Sequence, residues 1–361
     1  MYGQQFGTAQ RTSGLGIQQL KRGYLRELLV ATFSATIPAP LPASLPIDLG
    51  DPMTVVDASN TLSQAGGELV GDGVASSNIT ASVALERIPG RATRLRYRRS
   101  IATTDLALRQ IGLNAGDQIR FNQNNFLGPN SVPLDTVTPV GPGDMLIVAR
   151  SLGVFAFIRT GFTGPYTLLW VDNIVGGAIL PRILSSISAA GRINYCTDLR
   201  TFDLAAIDPR FGSDFGFAEG ADLSTTPGSI YLNRSQDYWM TYTINFVAGV
   251  TDANVRVRSA PDGSYYWRIR AQPTGNFTVY ELVSGLQTRI NTVGLFTTGA
   301  YEMRILCEGT NIKIWINNVV QFSTSASAVP VPNVCFITGP NPDHMSNIAA
   351  WPRTTMLPEG I

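Results

Sequence analysis

Side chains suited to metal binding and acid–base catalysis are scarce in this sequence. His344 is the only histidine among 361 residues, which excludes a histidine-rich metal site and argues against a serine–histidine–aspartate triad. A glycanase needs two carboxylates that face one groove, yet Glu281 and Glu302 lie singly on predicted strands. Residues 341–344 supply too few oxygen ligands for calcium, which takes about six to eight. We therefore expect no enzyme activity, no metal and no cofactor.

Charge is low and nearly balanced, and long apolar runs are absent. Charged residues make up 15% of the chain and the formal net charge is +1, so electrostatics do not favour a nucleic-acid partner. No run approaches the roughly 18 apolar residues of a membrane span. The N-terminus has no basic region followed by an apolar core, so no secretory signal is predicted and we expect synthesis in a cytoplasm.

Cysteine is rare, with only Cys196, Cys307 and Cys335. An odd number leaves at least one thiol that cannot pair within the chain. Buried thiols are the default for such residues. A bridge between Cys307 and Cys335 is the alternative, which a reducing cytosol disfavours.

Lysine is nearly missing: of the 27 basic residues, only Lys21 and Lys313 are lysine and the rest are arginine. A GC-rich genome explains this bias, and so would arginine pairing with carboxylates at interfaces. The most basic run spans residues 94–99, where Leu95 and Tyr97 interleave the arginines. This alternation predicts a strand with a solvated arginine face. Contact with an acidic partner or with glycan carboxylates is the alternative.

Turn residues and alternating strands are what the sequence has in abundance. With 35 glycines and 22 prolines, we expect an all-β chain of short strands in two domains of about 150 residues each. Residues 299–322 predict three antiparallel strands with one face on a core and the other toward water. Their core face consists of Tyr301, Met303, Ile305, Cys307, Ile312, Ile314 and Ile316. A further strand should bury Tyr265, Trp267 and Ile269 and expose Tyr266, Arg268 and Arg270.

The strand pattern occurs twice. Residues 143–158 have the shape of the hairpin that starts at residue 299, with two glycines at the same spacing, and each copy is followed by a closing segment that contains Arg-Thr. The residues concerned are Gly143, Gly153 and Arg200 in the first copy and Gly299, Gly309 and Arg353 in the second. Two long copies predict tandem domains rather than a solenoid.

The N-terminal segment has a different pattern. Apolar residues at spacings of three and four predict an amphipathic helix between residues 16 and 33, with an apolar face made of Ile17, Leu20, Tyr24, Leu25, Leu28 and Leu29. Proline-rich residues 38–46 predict an extended linker. We interpret residues 1–47 as an arm, helix and linker that anchor the protein, followed by domains at 48–205 and 206–361. Packing of the helix on the first domain is the alternative.

The last hairpin and the closing segment resemble a known family. Residues 299–317 have the pattern Gly-x-Tyr-x-x-Arg-Ile-x-x-x-Gly-x-x-Ile-x-Ile-Trp-x-Asn, and residues 346–353 are Ser-Asn-Ile-Ala-Ala-Trp-Pro-Arg. Both resemble the final strands of concanavalin A-like jelly rolls of the lectin, laminin-G and glucanase type, most of all those in bacteriophage virion proteins. The first copy, with residues 168–172 and 178–184, is similar. The resemblance spans residues 48–354 and implies two tandem jelly-roll sandwiches.

The resemblance also implies a function. It favours a non-enzymatic structural protein of the virion, such as a capsid decoration, fibre, collar or tail component. It implies homo-oligomers, commonly trimers, with other virion proteins as partners of residues 1–47. A glycan-binding module for host recognition is the second hypothesis, and a degenerate glycanase is the third. A cell-surface glycan would contact exposed aromatic and amide side chains, for which Tyr266, Trp315 and Asn317 are the candidates; inter-domain packing is the alternative role for Trp315.

Overall fold

The described part of the chain consists of strands and their connections. The computed structural model describes residues 26–57, 60–71, 77–81, 88–99, 105–108, 119–122, 125–127, 133–136, 141–150, 153–172, 182–186, 194–206, 218–219, 231–232, 237–249, 253–260, 264–325, 334–338, 345–357 and 361. Within these ranges the regular elements are β-strands with antiparallel pairing. The predicted all-β class is therefore confirmed. None of the described residues belongs to a helix long and apolar enough to cross a membrane.

Strands are numbered in chain order. They are β1 Glu27–Ala31, β2 Ser44–Leu45, β3 Met53–Asp57, β4 Ser63–Ala65, β5 Glu68–Gly71, β6 Ser77–Thr80, β7 Arg91–Arg99, β8 Asp105–Leu108, β9 Ile119–Asn122, β10 Asn125–Leu127, β11 Pro133–Thr136, β12 Gly141–Arg150, β13 Gly153–Thr160, β14 Tyr166–Asp172, β15 Arg182–Ser186, β16 Asn194–Asp203, β17 Ala218–Glu219, β18 Tyr231–Leu232, β19 Tyr238–Phe246, β20 Ala253–Ser259, β21 Tyr265–Ala271, β22 Asn276–Val283, β23 Leu286–Leu295, β24 Gly299–Glu308, β25 Asn311–Ile316, β26 Val319–Ser325, β27 Val334–Thr338, β28 Met345–Pro352 and β29 Thr354–Thr355.

Four large sheets form two bodies. In the first body, sheet I has the order β29-β14-β13-β12-β7-β16-β5-β4, with β1 beside β16, and sheet II has the order β11-β10-β9-β8-β15-β6-β3-β2. In the second body, sheet III has the order β26-β25-β24-β19-β28 and sheet IV the order β23-β22-β21-β20-β27. Strands β17 and β18 pair separately.

The same strand order occurs in both bodies. The series β14-β13-β12-β7-β16 in sheet I corresponds to β26-β25-β24-β19-β28 in sheet III, and β11-β10-β9-β8-β15 in sheet II corresponds to β23-β22-β21-β20-β27 in sheet IV. The two glycine hairpins of the sequence repeat are β12–β13 and β24–β25, at equivalent places. The sequence repeat therefore has a structural counterpart.

The helix predicted between residues 16 and 33 is wrong at its C-terminal end. Residues Glu27–Ala31 form strand β1, which pairs with β16 through Val30–Arg200 and Ala31–Leu199. Leu29 is buried in the first core and Leu28 is half-buried. The sheet edge at β16 supplies backbone partners that a lone helix lacks, and tertiary pairing overrides the local periodicity. The other helix positions, Ile17, Leu20, Tyr24 and Leu25, lie outside the described residues.

The proline-rich segment is not a free linker. The backbone of Ile37 exchanges hydrogen bonds with that of Gln64, and the Leu41 amide donates to the Leu62 carbonyl at 3.1 Å. Leu45 lies on β2 and is fully buried. Because residues 27–45 supply strands and core side chains to the first body, a domain boundary after residue 47 would cut that body.

Alternating side chains fill the core between sheets III and IV. Tyr265, Trp267 and Ile269 are buried there, as predicted. The core face predicted for residues 299–322 is also buried, apart from half-buried Tyr301; it includes Met303, Ile305, Cys307, Ile312, Ile314 and Ile316. Cys196 and Cys307 are buried free thiols, and burial raises the pKa of Cys196 to about 12. The Cys335 side chain lies outside the described residues.

Much of the other face of sheet III is buried rather than exposed to water, contrary to the sequence prediction. Trp239, Trp315 and Trp351 on this face share one hydrophobic core with the first body. The Trp170 ring on β14 lies edge-on to the rings of Trp239 and Trp315, with centroids 5.3 Å apart in both pairs. Phe155 lies 4.1 Å from Trp351. These five residues, named the aromatic seam, attach sheet III to sheet I.

Polar groups cross the aromatic seam as well. The Arg304 Nε donates to the Val171 carbonyl at 2.8 Å, and its guanidinium lies 4.8 Å from the Trp170 ring centroid. The Trp239 Nε1 donates to the Leu168 carbonyl at 2.9 Å. Buried polar groups are costly unless they are hydrogen-bonded, so these bonds tie the seam to one packing geometry.

The chain returns across the seam after β28. The Leu168 amide donates to the Arg353 carbonyl at 2.7 Å, and the Arg353 guanidinium donates to the Leu168 carbonyl. Strand β29 then pairs with β14 through Thr354 and Thr355. The second Arg-Thr segment thus joins sheet I of the first body, although its residues fall within the range 206–361 predicted for the second domain.

Replacing a seam tryptophan should loosen the return strand. In Trp239→Phe, the Leu168 carbonyl loses one donor and two ring contacts change, which should cost about 1–3 kcal/mol of unfolding free energy. Hydrogen exchange at the Leu168 amide should become faster. The matched control is Trp267→Phe, which loses an indole hydrogen bond to Tyr265 inside the second body. Equal protection of Leu168 in both variants would show that the seam does not hold β14 and β29 together.

Candidate functional site

The outward face of sheet IV carries two rows of polar side chains. Cross-strand pairs share a face of a sheet, and the pairs of β20, β21, β22 and β23 define the rows. One row consists of Arg256, Arg268, Tyr280 and Arg289, and the next consists of Asn254, Arg270, Thr278 and Thr292. Thr278 is fully buried. Neighbouring positions recur at the strand spacing of about 4.8 Å. We call these two rows the arginine face.

Aromatic and amide groups orient the guanidinium groups of the arginine face. The Arg256 guanidinium lies 4.5 Å from the ring centroid of Tyr266. The Arg268 Nε donates to the Asn254 Oδ1 at 2.7 Å, and its Nη1 donates to the Gln287 Oε1 at 3.3 Å. Arginine stacked and hydrogen-bonded in this way loses less side-chain entropy when it binds a ligand.

The three residues predicted to contact a glycan do not form one site. Tyr266 is 8% exposed and lies under Arg256, and Trp315 is 1% exposed in the aromatic seam. Their predicted exposure is wrong, because a guanidinium covers one ring and sheet I covers the other. Asn317 is exposed at a turn with a φ of 48°, and its Oδ1 accepts the Glu302 amide at 2.9 Å. Glycan contact by Asn317 stays a prediction.

Sheet I has an arginine-bearing face of a different kind. Arg94 is 2% exposed and pairs with Asp198 at 2.9 Å. Arg96 donates to Asp144 at 2.8 Å, and more exposed Arg98 pairs with Glu68 at 2.6 Å. Leu95 and Tyr97 are buried on the opposite face, as the alternation predicts. The predicted solvated arginine face is therefore wrong at Arg94, because carboxylates of the same chain cover these arginines.

Asp144 is the centre of this ion cluster. The carboxylate is fully buried and accepts hydrogen bonds from Arg96, Arg159 and Tyr166. Burial alone would raise the pKa of Asp144, but the hydrogen bonds from Arg96 and Arg159 outweigh it and the pKa is lowered. Burial, followed by the Asp144 charge, raises the pKa of Tyr166. A carboxylate held ionised in this way is a poor general acid.

No metal centre can be built from the described residues, which contain no group of three or more histidine, cysteine, aspartate or glutamate side chains placed to bind an ion. His344 and Asp343, which belong to the segment considered for calcium binding, lie outside the described residues. Glu281 accepts a hydrogen bond from the Tyr265 hydroxyl at 3.0 Å, and Glu302 forms an ion pair with Arg304 at 2.7 Å. Both carboxylates therefore have structural partners.

Comparisons with known proteins give matches of low similarity. No family model and no curated protein matches the chain. A carbohydrate-binding module from Bacillus subtilis is 12% identical with a TM-score of 0.26, over 39% of this chain and 88% of its own. A galectin from Caenorhabditis elegans is 13% identical with a TM-score of 0.28, over 36% of this chain and 90% of its own. A beta-1,3-glucanase from Mycobacterium marinum is 14% identical with a TM-score of 0.31, over 49% of this chain and 98% of its own. At these values the likenesses establish neither activity nor ligand.

Sequence reasoning missed Arg256 and Arg289. The signal that could have found Arg256 is the alternation of arginines on two consecutive strands, at Arg256 and Arg258 and again at Arg268 and Arg270. Strand register then places Arg256 opposite Arg268. Arg289 could not be found in this way, because irregularities in the pairing of β22 and β23 shift its register.

Replacing Asp144 should destabilise the protein and change its response to acid. Breaking a buried pair leaves uncompensated charge, so Asp144→Asn should cost about 3–5 kcal/mol at neutral pH. Because the folded pKa is lowered, the stabilisation is complete above the ordinary carboxylate pKa of about 3.9 and is lost as pH falls through the folded value. The difference from the wild type should therefore shrink below about pH 4 in denaturant unfolding. Asp51→Asn, at an exposed position, is the control; a pH-independent difference would contradict the ion-cluster account.

Proposed function

We propose that the protein is a non-enzymatic structural component of a bacteriophage virion that presents the arginine face of sheet IV to a glycan. The observation that carries the binding is the arginine face itself. It combines guanidinium, phenol, amide and hydroxyl groups, which can donate and accept hydrogen bonds with sugar hydroxyls. Residues fixed on strands by neighbouring side chains make a more precise site than residues on loops.

The position of sheet IV supports this assignment. One face of sheet III is buried in the aromatic seam, and the other faces sheet IV across the second core. The arginine face is thus the remaining broad face of the second body. Two bodies that pack on each other and leave this face outward fit a protein whose task is presentation rather than chemistry.

The virion part of the proposal rests on the resemblance of the hairpin and closing segments. Residues 1–25 are the proposed attachment to other virion proteins, and trimers are the proposed assembly. Because β1 and Leu45 belong to the first body, the attachment segment must end before Arg26 for the body to fold without it.

Glycan binding is tested by screening the full chain on a glycan array and then titrating the strongest ligand. Arg268→Ala should weaken binding about tenfold or more, because hydrogen bonds to charged groups contribute about 1.5–3 kcal/mol. Arg98→Ala is the matched control, since it removes an outward arginine from sheet I. An array without a hit, or an equal loss in both variants, would contradict the proposed site.

Assembly is tested by light-scattering mass measurement of the full chain and of a chain that begins at Arg26. We expect a trimer for the full chain and a monomer for the shortened chain, because the described contacts of the first body are kept in both. A monomer in both cases would remove the assembly role of residues 1–25. A trimer in both cases would place the contact on the folded bodies instead.

A further inference from the structure

Outward arginines on sheets I and IV differ in their carboxylate partners. On sheet I, Arg94 and Arg96 each meet an aspartate of a neighbouring strand. On sheet IV, Arg256 and Arg289 form no ion pair with any carboxylate in the part of the chain that the structure describes. Within the described residues, Arg256 and Arg289 thus carry positive charge that no carboxylate neutralises, whereas Arg94 and Arg96 are paired.

Strand pairing concentrates this positive charge. Arg256 stands directly opposite Arg268, and Arg289 stands opposite Tyr280 in the same row. Like charges placed directly opposite each other on a sheet are destabilising. The Arg256 Nε is buried and has no hydrogen-bond partner among the described residues. An anionic group between Arg256 and Arg268 would relieve the repulsion and accept hydrogen bonds from their guanidinium groups.

We infer that the ligand of the arginine face is an anionic polysaccharide, whose carboxylate or sulfate groups bind the row of Arg256, Arg268 and Arg289. The inference rests on the proposed glycan-binding function and names its substrate class. Guanidinium groups bind both kinds of oxyanion through paired N–H donors.

The placement of the tyrosines favours charge recognition over ring stacking. A neutral sugar is commonly held by an open aromatic ring, yet the ring of Tyr266 lies beneath Arg256 and is 8% exposed. The ring orients a guanidinium instead of offering its own face. The Tyr280 ring is half-buried and lies 5.9 Å from the Arg268 guanidinium. Both phenols thus act through arginine.

The test is calorimetric titration of the full chain with three polymers: hyaluronan oligosaccharides carry only carboxylates, dextran sulfate carries sulfates, and dextran is neutral. We expect binding of one or both charged polymers and none of dextran, with affinity that falls as salt is added. The comparison of hyaluronan with dextran sulfate identifies the anionic group. Arg289→Gln, on an exposed stretch of β23, should lower the affinity about tenfold, while Arg98→Gln on sheet I should change it less than twofold.

Three results would overturn the inference. Binding of dextran with the same affinity, abolished by Arg268→Ala, would leave glycan binding intact and refute the anionic class. Failure of all three polymers together with an empty glycan array would refute both. Binding of single-stranded DNA as tight as that of the polysaccharides, with the same dependence on Arg289, would show a general polyanion surface instead of a glycan site.

Discussion

The burial of one face of sheet III against sheet I is the constraint on which the rest of the structure depends. Trp239, Trp315 and Trp351 would be exposed apolar surface on an isolated second body, and Arg304 would be a surface arginine. In the intact protein all four are buried against the first body. Large aromatic surface is the strongest source of hydrophobic stabilisation per side chain. The aromatic seam therefore packs two bodies of like strand order against each other.

Much of the fold could be predicted from side-chain periodicity. The alternation of Ile312, Ile314 and Ile316 predicts one buried face correctly, because a strand with one face on a core has a period of two. The same alternation cannot tell whether Trp315 on the opposite face meets water or another sheet, since both give the same local pattern. Strand β1 shows a related limit: the leucines before Val30 fit a helix, and only pairing with β16, far along the chain, decides for a strand.

The charged residues show why the candidate site was harder to predict than the fold. Arg94 and Arg256 both alternate with apolar neighbours, so the local pattern is the same at both positions. Strand register then gives Arg94 a carboxylate partner from β16 and places Arg256 opposite another arginine. The partner comes from a strand distant in the chain, which local patterns do not identify. The difference between a structural ion pair and a candidate ligand site thus depends on register.

The most direct measurement is a crystal structure of the full chain with a short anionic oligosaccharide of the class selected by titration. The account predicts that a carboxylate or sulfate of the ligand lies between the guanidinium groups of Arg256 and Arg268, within hydrogen-bonding distance of both. A ligand bound at the turn near Asn317, or on sheet II, with Arg256 and Arg268 unchanged, would contradict it.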